Sequence, residues 1–207
     1  HNQDEIDRKD IRIGDTVIIH RAGDVIPEVI KVIKEKRSIN SKKYLLPNFC
    51  PSCSSQTIRE SGDAVLRCTN IENCPDQIKG QIKHFVSKNS LDIDGVGDKL
   101  IDSLVDQKII NTYSNLFKLT YSDLENIERM AEKSINNILN AINSAKKTDL
   151  SRFLHGLGIR NIGIHACKLL DKKYNSNIYE LMDASQDDLN QIHEIGEVMA
   201  ESIVKYF

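Results

Sequence analysis

Proline is absent from the last 132 residues of this chain, and tryptophan is absent from all of it. Because proline interrupts helices, its restriction to the first 75 residues favours a front part of strands and loops followed by a helical part. No apolar run approaches the ~18 residues that span a bilayer, and no basic segment followed by apolar residues marks export. We therefore expect a cytoplasmic protein with no membrane partner.

The chain also lacks an excess of basic residues over acidic ones. The formal net charge is −2, and residues 76–207 carry 16 Lys and Arg against 19 Asp and Glu. This balance argues against a protein that holds nucleic acid through a broad basic surface. Any binding of nucleic acid must therefore depend on local geometry. The composition, 40% hydrophobic and 28% charged, is that of a folded chain with one large or two small domains.

The first 46 residues predict only a few short strands. "DTVIIH" (15–20) and "EVIKVI" (28–33) are rich in β-branched residues and are separated by a turn signal that contains Gly23. A closed small barrel needs about five strands, so the two or three predicted here form an incomplete one. Since the chain also begins with His1 rather than Met, we expect it to be a segment of a longer protein.

Four of the five cysteines form one block with the spacing of a zinc module. Two residues separate Cys50 from Cys53, fourteen separate Cys53 from Cys68, and five separate Cys68 from Cys74. Two short pairs on either side of a loop suit a tetrahedral Zn²⁺ bound by four thiolates, which leave no open position. We predict a structural zinc ion; two disulfides or four unrelated thiols are the alternatives. The fifth cysteine, Cys167, is predicted to fill the core.

A five-residue pattern recurs four times after the cysteine block, at intervals of 34, 32 and 33 residues. Its copies are "IDGVG" (93–97), "IERMA" (127–131), "IRNIG" (159–163) and "IHEIG" (192–196). Each copy has isoleucine four residues before its last position and an apolar residue directly before it. Such a period indicates a repeated supersecondary unit. With helical sequence on both sides, the pattern predicts helix, tight hairpin and helix, four times over.

The residues after each hairpin predict a helix that packs through one face. The fourth and seventh residues after the hairpin's last position are small or apolar in every copy. They are Ile101 and Leu104, Ile135 and Ile138, Cys167 and Leu170, and Ala200 and Ile203. Before two of the hairpins, Ser122 and Ser185 are predicted to be N-caps of the preceding helices.

A Gly-x-Gly turn that opens a helix leaves several backbone N–H groups directed outward. Together with the positive end of the helix they form an anion site, and glycine lets a phosphate oxygen come close. We therefore predict that the hairpins bind a sugar-phosphate backbone without reading bases. Glycines that serve only as easy turns, and a repeat array that binds proteins, are the alternatives.

The first and third hairpins are the best candidate phosphate sites. The first has Gly95, Gly97 and Lys99 at its turn. In the third, Arg160 stands close to Gly163 and could add a charge-assisted contact.

The second and fourth hairpins depart from the glycine pattern. Arg129 and Ala131 replace both glycines in the second, so we expect it to bind phosphate poorly or only to pack. In the fourth, Glu194 takes the first glycine position before Gly196, and its charge should repel an anion.

Taken together, these pieces resemble the NAD-dependent DNA ligases of bacteria over nearly the whole chain. "HNQDEIDRKDIRIGDTVIIHRAGDVIPEV" resembles the later part of that family's OB-fold domain, and "CPSC…CTNIENCPDQ" resembles its four-cysteine zinc module. "HFVSKNSLDIDGVG", "FLHGLGIRNIG" and "IGEVMAESI" resemble its helix-hairpin-helix domain. The resemblance implies a multi-module α+β chain: a partial OB-fold at 1–46, a zinc module at 47–76, and an all-α DNA-binding domain of four helix-hairpin-helix repeats at 77–207.

The resemblance also implies a function, which is to grip duplex DNA at a nick that the whole enzyme seals. In the family, NAD adenylates a lysine, AMP passes to the 5′-phosphate, and the 3′-hydroxyl attacks. The OB-fold and the hairpins hold the minor groove, which implies DNA contacts for Arg21, Val25 and Ile26. A monomer in the bacterial cytoplasm, associated with the nucleoid, is implied as well.

The catalytic lysine motif of that family, Lys-x-Asp-Gly, is missing from this chain. "DIDG" (92–95) has aspartate where the lysine would stand, and a lysine nucleophile also needs a phosphate-stabilising pocket. We therefore expect this chain alone not to ligate, and NAD and Mg²⁺ to act only through the absent catalytic domain. The alternatives are a non-catalytic zinc-containing helix-hairpin-helix DNA-repair protein and a zinc-stapled helical adaptor for other proteins; "RAGDVIP" favours the ligase.

Overall fold

The computed structural model describes residues 2–22, 26–60, 62–128 and 130–207. The chain divides into two compact units, His1–Cys74 and Pro75–Phe207. It is helix-rich with two small sheets, which confirms the α+β class at this coarse level; the finer division at 46 and 76 stays a prediction. Four residues singled out from the sequence lie outside the described residues: His1, Gly23, Val25 and Arg129.

Within the ranges given above, the first unit contains one short α-helix and two strand pairs. Its elements are α1 (Gln3–Arg8), β1 (Val17–Ala22), β2 (Ile26–Val32), a 3₁₀ turn (Lys34–Lys36), β3 (Thr57–Ile58) and β4 (Arg67–Cys68). β1 and β2 pair antiparallel, with a register irregularity between Ile18 and Ile19, so the two predicted strands are confirmed. Helix α1 was not predicted; the Asn2 side chain caps it by accepting two backbone N–H groups.

Ion pairs, rather than a large apolar core, hold the described part of the first unit together. The guanidinium of Arg37 binds Asp10 at 2.6 Å and Asp15 at 2.8 Å, and these hydrogen bonds lower the pKa of both carboxyl groups. By contrast, Ile19 and Ile26 on the strand pair are 60% and 72% exposed. Within its described residues, the β1–β2 pair is therefore a two-stranded sheet and not a closed barrel.

The second unit is helical throughout its described residues, as the absence of proline predicts. Its helices are α2 (Pro75–Val86), α3 (Asp98–Asp106), α4 (Tyr113–Leu116), α5 (Tyr121–Leu124), α6 (Glu132–Ala145), α7 (Leu150–Leu157), α8 (Ile164–Lys173), α9 (Ile178–Met182), α10 (Gln186–Asn190) and α11 (Glu197–Tyr206). None of the helices in the described ranges is long and apolar enough to cross a membrane.

Two adjoining hydrophobic clusters form the core of the helical unit. The first is built on α2 to α6 and the second on α7 to α11, with Phe153 and Leu157 packed against both. All eight residues predicted to line the inner faces of the helices after the hairpins are at most 4% exposed, which confirms that prediction. Cys167 is among them, and burial raises the pKa of its thiol to about 11, as expected for an inert core cysteine.

One of the two predicted N-caps is confirmed and the other is wrong. Ser185 accepts a hydrogen bond from the Asp188 N–H at 3.2 Å and caps α10. Helix α5 instead begins after Thr120, whose N–H and hydroxyl both donate to Asp123 Oδ2, at 2.8 and 2.7 Å. Ser122 consequently lies inside α5, because the capping box formed by Thr120 and Asp123 starts the helix two positions earlier than a Ser122 cap would allow.

Leu104→Ala tests the core of the helical unit. Leu104 is fully buried, so the substitution should lower the free energy of unfolding by about 2–5 kcal/mol through lost burial and a residual cavity. Urea denaturation followed by helical circular dichroism measures the loss. Val204→Ala, a truncation at a 44% exposed position of α11, is the control and should change stability by about 0.5 kcal/mol or less.

Candidate zinc centre and nucleic-acid interface

Four cysteine sulfur atoms form a cluster in the first unit. The Sγ atoms of Cys50, Cys53, Cys68 and Cys74 all lie within 4.8 Å of one another. Cys50 and Cys74 are separated by 3.9 Å, and Cys53 and Cys68 by 3.5 Å. A tetrahedral zinc ion with Zn–S bonds of about 2.3 Å places its sulfur ligands about 3.8 Å apart, so the four thiols fit one Zn²⁺. None of them forms a disulfide, which removes that alternative.

Short backbone elements bring these cysteines together. The "CPSC" segment turns back on itself, since the Ser54 N–H donates to the Cys50 carbonyl at 2.8 Å. The β3–β4 pair then places Thr57 opposite Cys68. In addition, hydrogen bonds from the side chain and backbone of Ser55 lower the pKa of the Cys53 thiol to about 6. A lowered pKa favours the thiolate, which is the form that binds a metal ion.

Two of the four cysteines also form the buried core of their unit. Among the described residues of the first unit, Cys50 and Cys74 are the only buried hydrophobic ones, at 9% and 1% exposure. A small module with so little buried apolar surface needs another source of stability, and a structural metal is one of the few available. The donor set and its surroundings therefore both suit zinc in a structural role.

The four predicted hairpins in the second unit share one turn. In each, the residue before the last position donates its N–H to the carbonyl of the isoleucine three residues earlier. The pairs are Val96 to Ile93 (3.3 Å), Met130 to Ile127 (3.2 Å), Ile162 to Ile159 (3.1 Å) and Ile195 to Ile192 (2.9 Å). The residue directly before the donor is left-handed in the first, third and fourth hairpins, at Gly95, Asn161 and Glu194; the corresponding residue of the second hairpin lies outside the described residues.

The two glycines of the first hairpin serve different purposes. Gly95 has φ +80°, and a Cβ there would lie 3.0 Å from Ile138 Cγ1, so the fold itself requires glycine. Gly97, the N-cap of α3, has φ −88° and ψ 173°, which any residue can adopt. A Cβ on Gly97 would meet nothing within 4 Å. Its lack of a side chain instead leaves open space in front of the helix.

Glycine caps with nearly the same backbone conformation open two more helices. Gly163 before α8 has φ −89° and ψ 173°, and Gly196 before α11 has φ −87° and ψ 171°. A Cβ on either would also meet nothing within 4 Å. Ala131, the cap of α6, differs modestly, with φ −95° and ψ 155°. Three helices thus begin with the same uncovered geometry.

The first amides of these helices have no side-chain partner of their own. No cap side chain bonds to the start of α3, α6, α8 or α11, whereas Asn177 and Ser185 cap α9 and α10. In α3 the first helical bond runs from the Ile101 N–H to the Gly97 carbonyl at 3.1 Å. The N–H groups between these two residues are consequently available to an external acceptor, and an anion is the acceptor that the helix dipole favours.

The candidate contact residues lie at the surface of their units. Gly97, Lys99, Arg160, Gly163 and Gly196 are all exposed, while the isoleucine that begins each hairpin is buried or half-buried. The hairpin tips therefore face outward, and their apolar residues anchor them to the core. Two other predicted contact residues belong to the first unit: Arg21 and Ile26 are exposed at the loop end of the β1–β2 pair.

The sequence analysis did not consider the charged residues at the starts of the helices that follow the hairpins. Helices α3, α6 and α11 each have a carboxylate in the first turn, from Asp98, Glu132 and Glu197, and α8 has none. A carboxylate there already complements the helix dipole and would oppose a phosphate. At α3, Lys83 offsets this charge, since its Nζ lies 2.7 Å from Asp102 and 3.8 Å from Asp98. The acidic positions were readable from the sequence; the approach of Lys83 from α2 was not.

Comparison with known protein families matches three parts of the chain. Residues 1–41 match the model for an NAD-dependent DNA ligase OB-fold domain, residues 49–75 that for an NAD-dependent DNA ligase C4 zinc finger domain, and residues 152–207 that for a helix-hairpin-helix motif. Two of these three matches are to domains of NAD-dependent DNA ligases, so the chain carries domains of that family. The zinc finger match covers all four clustered cysteines and supports structural zinc in this chain.

Two curated relatives match this chain over its full length and are longer than it. It is 47% identical to a DNA ligase of Halothermothrix orenii and 45% identical to a DNA ligase of Syntrophus aciditrophicus, in both cases over all 207 residues. It spans 31% and 30% of the length of these relatives.

Proposed function

We propose that this chain is the part of an NAD-dependent DNA ligase that grips nicked duplex DNA along the sugar-phosphate backbone of the minor groove. The observation that carries this proposal is the set of three glycine-capped helices with the same backbone conformation, uncapped first-turn amides and exposed tips. With a net charge of −2, phosphate recognition in this proposal must come from local donors rather than from a basic surface.

In this proposal the four hairpins differ in how they bind phosphate. All four are helix-hairpin-helix repeats, and those closed by Gly97, Gly163 and Gly196 bind phosphate through backbone N–H groups. Lys99 and Arg160 add charge at the first and third. The hairpin closed by Ala131 mainly packs, since its cap carries a methyl group.

The first unit contributes a second DNA contact and its own metal. Arg21, Val25 and Ile26 touch the duplex near the nick, and Cys50, Cys53, Cys68 and Cys74 are the four zinc ligands. Zinc supplies folding energy here and no chemistry, because four thiolates fill its coordination shell. The three modules are 1–46, 47–76 and 77–207.

Bond formation belongs to the whole enzyme and not to this chain. The Lys-x-Asp-Gly motif is missing from the sequence, so NAD and Mg²⁺ would act in a catalytic domain outside it. The purified chain should bind nicked DNA as a monomer and fail to seal it when NAD and Mg²⁺ are added. In the cell, this activity places the protein with the DNA of the bacterial nucleoid.

Fluorescence anisotropy with labelled nicked duplex, intact duplex and single-stranded DNA tests the proposal. The chain should bind nicked duplex in preference to single strands. With Arg21, Lys99 and Arg160 as the main cationic contacts, the slope of log K against log salt should be about −3. Equal binding of all three DNAs, or no binding at low salt, would overturn the proposal.

A further inference from the structure

Glu194 is the residue of the fourth hairpin that ought to oppose a phosphate. It occupies the left-handed position of the turn with φ +71°, a conformation that is costly for a residue with a side chain. It also carries a negative charge two residues before the cap Gly196. From the sequence alone, this hairpin was therefore expected to repel an anion.

The carboxylate of Glu194 is engaged elsewhere. Its Oε2 atom lies 2.7 Å from Nε2 of His165, and its Oε1 atom lies 3.4 Å from Nδ1 of His193. A carboxylate only accepts hydrogen bonds, so the His165 nitrogen must be the donor. Within the described parts of the chain, Glu194 accepts no hydrogen bond from the first amides of α11, and these amides are not covered by their own hairpin.

His165 belongs to the neighbouring hairpin. It lies in the first turn of α8, so its bond to Glu194 ties the third hairpin to the fourth. A second contact joins the third hairpin to the helix of the fourth: Asn161 Nδ2 donates to Ser202 Oγ of α11 at 2.9 Å. Asn161 holds the same left-handed position in the third hairpin, with φ +64°. Each of these two strained residues thus reaches the helix of the other hairpin.

We propose that His165 is a positioning residue for DNA binding, which holds the Glu194 carboxylate away from the amide end of α11 and keeps that end open to phosphate. The His165 N–H donates to the carboxylate and holds it at the imidazole ring, whereas a glutamate with a free side chain could turn towards the cap at Gly196. This inference rests on the proposed function, since it concerns how one of its hairpins accepts an anion.

A double-mutant cycle on the 207-residue chain tests the proposal. The variants are His165→Ala, Glu194→Gln and the two combined, each titrated with labelled nicked duplex by fluorescence anisotropy. His165→Ala alone releases the carboxylate and should weaken binding roughly two- to fivefold, the usual range for one charge at a helix end. Glu194→Gln alone should not weaken binding. Combined with it, His165→Ala should lose its effect, because no charge is left to restrain.

Rescue by the uncharged glutamine separates this role from a merely structural one. The bond between the hairpins stays broken in the double variant, so a structural role for His165 would leave binding weak. An equal loss from His165→Ala in both backgrounds, or no loss in either, would overturn the inference. His193→Ala removes the longer contact and is the matched control, with a smaller expected loss. Failure of the unmodified chain to bind DNA would instead overturn the proposed function.

Discussion

Replacing Cys74 with serine is expected to release the zinc ion and to unfold the segment that holds it. Cys74 is 1% exposed and lies 3.9 Å from Cys50 across the cluster. Structural zinc contributes roughly 10–16 kcal/mol of apparent binding free energy, which exceeds the whole stability of most small domains. Since few other described residues of this unit are buried, nothing replaces that contribution.

Metal analysis and limited proteolysis measure the two consequences separately. The unmodified chain should hold one equivalent of zinc and resist cleavage around residues 50–74, and Cys74→Ser should hold little zinc and be cut there. The helical unit should keep its circular dichroism signal, because its core uses no residue of the cluster. Cys167→Ala is the matched control: it removes a cysteine from that core and should leave the zinc in place. A full equivalent of zinc in Cys74→Ser would contradict the four-thiolate site.

Changing Gly97, Gly163 and Gly196 together to aspartate is expected to abolish most DNA binding without unfolding the chain. Aspartate is a good N-cap and its side chain accepts the first helical amides, so each substitution fills the proposed phosphate site with the chain's own carboxylate. If each hairpin contributes about 1 kcal/mol, the usual net value of a hydrogen bond, the loss is roughly 100-fold in Kd.

Stability and affinity should therefore move in different directions in this triple variant. The φ and ψ angles at the three caps suit aspartate, and a Cβ there meets nothing within 4 Å, so thermal unfolding should occur at an unchanged or higher temperature. Gly80→Asp, at an exposed position of α2, introduces the same charge away from the hairpins and should change Kd by much less. Unchanged affinity in the triple variant would refute phosphate binding at the caps.

The zinc centre was predictable because its information is local. Two pairs of cysteines at short spacing must each turn the backbone sharply, and both pairs carry the same ligand chemistry. The sequence could not supply the burial of Cys50 and Cys74, or the fact that the described part of this unit has almost no other core. Those facts explain why a bound structural metal, together with the ion pairs, would contribute to the stability of this unit.

The hairpins were predictable as turns but not as an electrostatic surface. Their period and buried isoleucines follow from chain-local patterns, and the eight inward residues were found in this way. The sequence could not show why each glycine is needed. Gly95 is required by its left-handed φ and Gly97 leaves open space in front of its helix, but in the sequence both are simply glycines of one turn. The N-cap of α5 was misplaced because two neighbouring polar residues, Thr120 and Ser122, both fit the pattern.

The sequence by itself determined the order of modules, the metal ligand set and the repeated turns, because each depends on residue types at short, fixed spacings. Only the tertiary structure decided which charges meet. Lys83 reaches α3 from α2, and Glu194 reaches a histidine 29 residues away on α8. Interactions between side chains on different helices depend on how those helices pack. A single sequence does not record the distances between such side chains.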